Sequence, residues 1–405
     1  MKLNRWTLAL AAAGIVTAPS LLRAQTNTIL TALSSTTLSG FVDTSAHWNF
    51  GTGNANLPPY TANGALGGTK ADGFNLDVVD LTITKAADSD AWSAGYNVTL
   101  LFGPDAVGYN NSAGSATSDF SLKDTYVDLH APIGNGLDVK LGTYTEILGY
   151  EVFEAGNNPN YTRSYGYALE PTQMTGALAT YQFNPVVTAM FGICDAWNAG
   201  VNARSSPPKA ESFKTYMGML TFTAPTNMAF LSGSTLMVGA INGYDAVFTP
   251  PGSTAPGVNV TSYYAGGTIN TPVTGLKVGI AFDDLDMPNL SGQNWALGAY
   301  VNYQATEKLS FNARGEYLKD RGAMKLFANA FGAPTVPDEA MELTLTAQYD
   351  LWKNVMSRLE LRWDHSLTDQ GVWGGTAVNG DPSATSGFGS RDNVVVLAAN
   401  IIYKF

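Results

Sequence analysis

Between Asn354 and Leu367 the chain sets Arg358, Glu360, Arg362 and Asp364 at every second residue, with Leu359, Leu361 and Trp363 between them. A period of two belongs to a β-strand, whose successive side chains point to opposite faces. Here one face is charged and the other apolar. Neighbouring segments repeat the pattern. Met341, Leu343, Leu345, Ala347 and Tyr349 oppose Glu342, Thr344, Thr346, Gln348 and Asp350, while Arg314 and Glu316 share a face with Asn312. The last thirteen residues, NVVVLAANIIYKF, put Val395, Leu397, Ala399, Ile401, Tyr403 and Phe405 on one side. A buried strand of a soluble sandwich and a strand facing lipid both fit this last stretch alone. In lipid, a charge near the midplane costs about 2–4 kcal/mol, so the charged faces would have to line a wet interior.

The connections separate these alternatives. Candidate strands fall near 38–50, 74–85, 91–103, 120–131, 137–149, 173–183, 186–196, 212–223, 235–245, 259–270, 275–285, 294–304, 308–320, 341–350, 354–367 and 392–405. That makes sixteen, and the second and ninth alternate poorly. Long links (51–73, 104–119, 150–172, 197–211, 246–257, 286–293, 321–340, 368–391) take turns with mostly short ones such as 184–185 and 351–353. Only 224–234 breaks the rule. A sandwich has no reason to sort its loops by length. An up-and-down transmembrane barrel has, with turns at one end and loops at the other. The expected fold is therefore all-β: a closed antiparallel barrel of about sixteen strands, with the first strand's Ser39, Asp43, Ser45, His47 and Asn49 facing inward. Sixteen strands leave an aqueous channel, where eight would be filled by side chains.

The N-terminus agrees with that destination. Lys2 and Arg5 precede the apolar run Leu8–Ala18, and a cleavable boundary follows near Ala24. This reads as a secretory signal peptide over 1–24, too short to span a bilayer. A polar leader over 25–37 would follow, then one barrel domain over 38–405. No other apolar stretch approaches 20 residues. Mean hydropathy is −0.02, too low for a helical multi-span protein. The formal net charge of −11 disfavours nucleic acid, which needs a positive face. The single cysteine, Cys194, cannot form an internal disulfide and reads as a small strand side chain.

The third long loop carries Glu151, Glu154, Arg163 and Glu170, with Glu146 just before it on the strand. The stretches SGFVDTSAHWNF, FNLDVVDLTI and LGTYTEILGYEVFEAGNNPNYTRSYGYALEPTQMTGALATYQF resemble the OmpL-like β-barrel porins, most specifically in G-Y-E-V and Y-x-R-S-Y. The terminal Phe405, with Tyr403 two residues before it, is similar to the closing strand of outer-membrane barrels, where it serves as the assembly signal. The resemblance covers nearly the whole chain after the signal. It implies passive diffusion of ions and small hydrophilic solutes across a bacterial outer membrane. Its implied partners are outer-membrane lipid, the barrel-assembly machinery and two further copies in a homotrimer.

In sixteen-stranded general porins the third loop folds into the lumen, with its acids opposite basic wall residues. By position, that role would fall here to Glu151 and Glu154 against Lys140, Arg314, Arg358 and Arg362, with Glu316 and Glu360 beside them. A transverse field of this kind filters solutes by size and charge. The alternative is that Arg163 and Glu170 pin the loop by ion pairs.

Catalytic signatures are absent. His47, His130 and His365 lie on different strands without metal-ligand spacing, and neither a G-x-S-x-G elbow nor a P-loop occurs. Asp283, Asp284 and Asp286 form an acidic run at a loop mouth, compatible with Ca²⁺ or a solvated edge. No cofactor or metal is expected. A non-conducting receptor or adhesin scaffold is the second reading, and an outer-membrane hydrolase the third.

Overall fold

A computed structural model describes residues 35–50, 57–58, 70, 72–109, 120–197, 200–204, 213–245, 258–288, 292–321, 336–369, 371–374 and 391–405. Residues 1–34 lie outside this range, and with them the expected signal peptide and nearly all of the leader. Most of the long links also fall outside; 150–172 is described throughout.

Sixteen strands form one closed antiparallel barrel in which each pairs with its neighbours in sequence and the first with the last. They are β1 Thr37–Asn49, β2 Gly73–Lys85, β3 Ser93–Phe102, β4 Phe120–Ala131, β5 Leu137–Thr145, β6 Gln173–Gln182, β7 Val187–Cys194 and β8 Thr215–Thr223. The second half comprises β9 Thr235–Tyr244, β10 Asn259–Asn270, β11 Leu276–Asp286, β12 Asn294–Gln304, β13 Leu309–Asp320, β14 Glu339–Trp352, β15 Val355–Ser366 and β16 Asn393–Lys404. The one α-helix among the described residues, α1, is Tyr165–Leu169, and no described helix is long and apolar enough to cross a membrane. Closure is made by backbone bonds between Gly40 and Phe405 in both directions, at 3.1 and 3.0 Å.

Alternation explains why these strands close as they do. On β14 and β15 Leu343, Leu345, Leu359 and Leu361 are exposed outward, while Glu342, Thr344, Arg358, Glu360, Arg362 and Asp364 are buried inward. Outward aromatics gather at both rims. Trp48, Phe74 and Phe120 sit at one, and Tyr349, Trp352, Tyr403 and Phe405 at the other, as in a barrel that meets two water boundaries.

The two poorly alternating strands have physical causes. In β2 the pairing with β1 slips between Asp43 and Thr44, so that Asp77 is an extra residue and both Asp77 and Val78 are buried. This is a β-bulge, and it interrupts the period of two. In β9 the inward residues Met237 and Ile241 are themselves apolar. They belong to a cluster with Met174, Met190, Met217 and Met219 of β6–β8, packed against Ile147 and Leu148 of the β5–β6 loop. The inner wall therefore has two halves. One, over β13–β15 and β1–β2, is charged; the other, over β6–β9, is apolar and rich in methionine.

Candidate functional site

The strand β5 ends at Thr145, not at 149, so Glu146 belongs to the loop. Asp124 of β4 fixes this end by accepting from the Thr145 amide (2.7 Å) and hydroxyl (3.1 Å). The Glu146 carboxylate then turns back onto the Leu148 amide. The chain reverses at Gly149, whose φ of 99° is a left-handed conformation that favours glycine. Beyond it Tyr150 stacks on Tyr300 of β12, with ring centroids 4.0 Å apart, and its hydroxyl bonds to Thr268 of β10 (3.1 Å).

From there the loop has almost no regular structure, and an irregular backbone buried away from water must find partners for every N–H and C=O. The wall's charged side chains supply them. Glu360 of β15 accepts from the amides of Tyr161 (2.5 Å) and Thr162 (2.9 Å). Glu316 of β13 accepts from the amides of Tyr165 (2.6 Å) and Gly166 (2.9 Å), at the start of α1. Arg358 donates to the carbonyls of Ala155, Asn158 and Asn160 at 2.9, 3.3 and 3.1 Å. Arg362 donates to the Arg163 carbonyl (2.6 Å), and Lys404 to that of Gly156 (3.2 Å). Ser164 caps α1 by accepting from the Tyr167 amide.

Arg314 is the densest junction. Fully buried, it donates to Glu151 of the loop (2.8 Å), to Glu342 of β14 (2.7 Å) and to the Thr162 carbonyl (2.7 Å). The sequence placed Glu151 and Arg314 on opposite sides of a gap; here they are in direct contact. Arg362 pairs with Asp364 (2.8 Å), and Tyr165 also donates to Asp364 (2.7 Å). These side chains hold the loop because unpaired charge is too costly to bury, and the loop backbone supplies partners for Glu316, Arg358, Glu360 and Arg362.

Other expected residues lie elsewhere. Glu154 pairs with Lys123 of β4 (2.6 Å) and keeps 28% of its side chain exposed. Lys140 of β5 lies over the Tyr126 ring, 4.6 Å from its centroid, on the opposite side of the barrel from Arg314. Arg163 does not pair with Glu170. Its guanidinium binds the Tyr161 and Phe153 carbonyls within the loop and faces the Tyr167 ring. Glu170 packs against Gly149, and burial together with the Asp283 and Glu146 carboxylates pushes its carboxyl well above the ordinary value of 4.5. Burial pushes Glu146 the same way.

Several contributors were not singled out from the sequence. Asp77, on the bulge, accepts from the Tyr161 hydroxyl (2.8 Å) and from Ser45 (2.8 Å), and His47 bonds to the same Tyr161 (2.9 Å). Lys70, from the first long link, joins Asp105 (2.6 Å) and Asp77 (3.8 Å). Burial opposes its charge, but those two carboxylates outweigh it and raise its pKa. Glu342 and Asp364 were readable as inward positions by parity. Asp77 was hidden by the bulge, and Lys123 by a second register shift in the β3–β4 pairing.

The acidic run 283–286 is not a loop cluster. It lies within β11, with Asp283 buried inward and Asp286 exposed. Among the described residues no group of three His, Cys, Asp or Glu side chains could hold a metal ion. Cys194 is buried, its sulfur 3.5 Å from that of Met174.

The family described as "Putative beta-barrel porin-2, OmpL-like" matches residues 35–405. No curated protein matches the chain. Among solved structures it is similar to OprB of Pseudomonas putida (TM-score 0.57, 11% identity, 92% of this chain and 94% of that one). It is also similar to an anion-selective porin from Comamonas acidovorans (0.56, 13%, 92% and 99%) and to the outer membrane channel DcaP of Acinetobacter baumannii (0.54, 11%, 91% and 97%). At these identities the likeness is one of fold.

Proposed function

The chain belongs to the OmpL-like β-barrel porin family, and from that premise we propose that it is an outer-membrane channel for passive diffusion of ions and small hydrophilic solutes. The observation that carries the reading is the loop between β5 and β6. Its backbone and side chains bond to inward residues of β1, β2 and β10–β16, on the far side of the barrel from its own strands. A segment held this way narrows the lumen, and space for solutes is left along β2–β7. Glu154, Lys123 and Lys140 border it and are the residues that set its field. The buried set of Glu151, Arg314, Glu316, Arg358, Glu360 and Arg362 holds the constriction in place, and Arg163 stiffens it from within.

Residues 1–24 direct export and are then removed. The assembly machinery reads Tyr403 and Phe405, and three copies associate in the membrane. The mass of the mature chain and native mass spectrometry of the purified protein check cleavage and trimer respectively. The deciding experiment is single-channel recording of the refolded mature protein in a planar bilayer. Stepwise openings that scale with salt support the channel. A folded barrel that never opens overturns it and favours a receptor scaffold.

A further inference from the structure

We propose that the interior wall of β4–β6 holds a binding site for a small zwitterion with an apolar body, of the chemical class of the aliphatic amino acids. The site deepens the channel reading, because the solute reaches it from the lumen. It is the larger of two interior cavities at the end carrying the short turns, about 620 Å³, a size suited to small-molecule ligands.

One row of inward residues carries the argument. Across the β4–β5 pairing Asp128 stands beside Lys140, and across β5–β6 Lys140 stands beside Leu178. Carboxylate, ammonium and aliphatic side chain thus follow one another along a single rung. Asp128 and Lys140 are placed to pair with each other, and they do not. The Lys140 ammonium leans toward the Tyr126 ring. The Asp128 Oδ1 atom is buried and makes no hydrogen bond among the described residues. The next polar pair, His130 with Asp138, is satisfied at 2.6 Å, so the separation of Asp128 from Lys140 is particular to this rung.

Two further orphans line the same cavity. Tyr144 and His130 are 1% and 3% exposed, yet the Tyr144 hydroxyl and the His130 Nε2 have no partner among the described residues. Buried polar atoms without partners are rare in native proteins. The remaining wall is apolar, with Met190 of β7 and Leu148 of the loop beside Leu178.

A carboxylate oxygen without a partner, an ammonium held by the Tyr126 phenol and not by a carboxylate, and an aliphatic surface in that order match one ligand chemistry. The solute's ammonium meets Asp128, its carboxylate meets Lys140, and its side chain lies on Leu178 and Met190. Charge-assisted hydrogen bonds are about twice as strong as neutral ones, so both ends discriminate. A bare amine would leave Lys140 unanswered, and a bare acid would leave Asp128 so.

Four probes test this in planar-bilayer recordings: L-leucine, isoamylamine, 4-methylpentanoate and glycine. L-Leucine is expected to interrupt the current at concentrations at least ten-fold lower than each of the others. Asp128→Asn and Lys140→Met should each raise that concentration at least ten-fold. Equal block by the amine, or block unchanged in both variants, overturns the site while leaving the channel intact. Titration calorimetry of the detergent-solubilised wild-type barrel with the same probes needs no variant and no open channel. Heat for L-leucine alone supports the site even if the barrel never conducts; no heat for L-leucine overturns it.

Discussion

Arg314 shows how much one side chain can hold. It pairs with Glu151 and Glu342 at once while donating to a loop carbonyl, and no part of it is exposed. Breaking a buried ion pair by removing one partner typically costs about 3–5 kcal/mol, because the other charge is left uncompensated. Arg314→Met should therefore lower the unfolding temperature on heated gels and make the bilayer current noisy as the loop loosens. Glu154 is the opposite case. Its pair with Lys123 is partly exposed, so Glu154→Gln should cost less than about 1 kcal/mol. Loss of a negative charge beside the open space should still shift the reversal potential under a salt gradient toward anions. Glu170 adds a pH dependence. Its carboxyl is raised in the fold above the ordinary 4.5, so the proton is held more tightly in the native state than in the unfolded one. Stability from this group is complete below that value and is lost as pH rises through the raised one. Proteolysis of the loop should accordingly quicken from mildly acidic to alkaline pH, and Glu170→Gln should flatten the profile.

At the scale of elements, strands were legible and the loop was not. Period two and the sorted link lengths are local properties, and they located all sixteen strands to within a few residues. Asp77 escaped because a bulge shifts parity without leaving a mark in composition. The loop's acids and the wall's arginines were visible as residue types and as inward positions. Their pairing was not, because Glu151 and Arg314 are far apart in sequence and meet only through barrel closure. Of the methionine wall over β6–β9 only the ninth strand read as poor alternation, since nothing local says that Ile147 and Leu148 will cover the wall. The turn that leads into the loop hinges on Gly149. A Cβ there would meet the Glu170 carboxylate, with its carbon 2.7 Å away, and φ is positive. Gly149→Ala should therefore destabilise the loop by about 1–3 kcal/mol. Limited proteolysis would register this as faster cleavage within 150–172 while the barrel core survives.

For the whole molecule, the two unlike halves of the interior predict where solutes pass. At mid-height the half formed by β13–β16, β1 and the loop is tightly bonded, and Thr344 there is fully buried, while a smaller cavity of about 400 Å³ remains at the short-turn end beside Asn312 and Gln348. Along β2–β7 the cavity lined by Asp138, Lys140 and Tyr126 retains volume and partly exposed charge. Electrostatic filtering acts on whatever path solutes take, so a charge added on the open side should change the current and one aimed at the closed side should not arrive. The chain suits such a test because its one cysteine, Cys194, is buried. In a Cys194→Ala background, Asp138→Cys should react within seconds with a small charged methanethiosulfonate, and the open-channel current should step down. Thr344→Cys in the same background should stay unmodified, as judged by mass, while the barrel is folded. Modification of both positions at similar rates would mean that the loop does not seal the charged half and that solutes pass on either side of it.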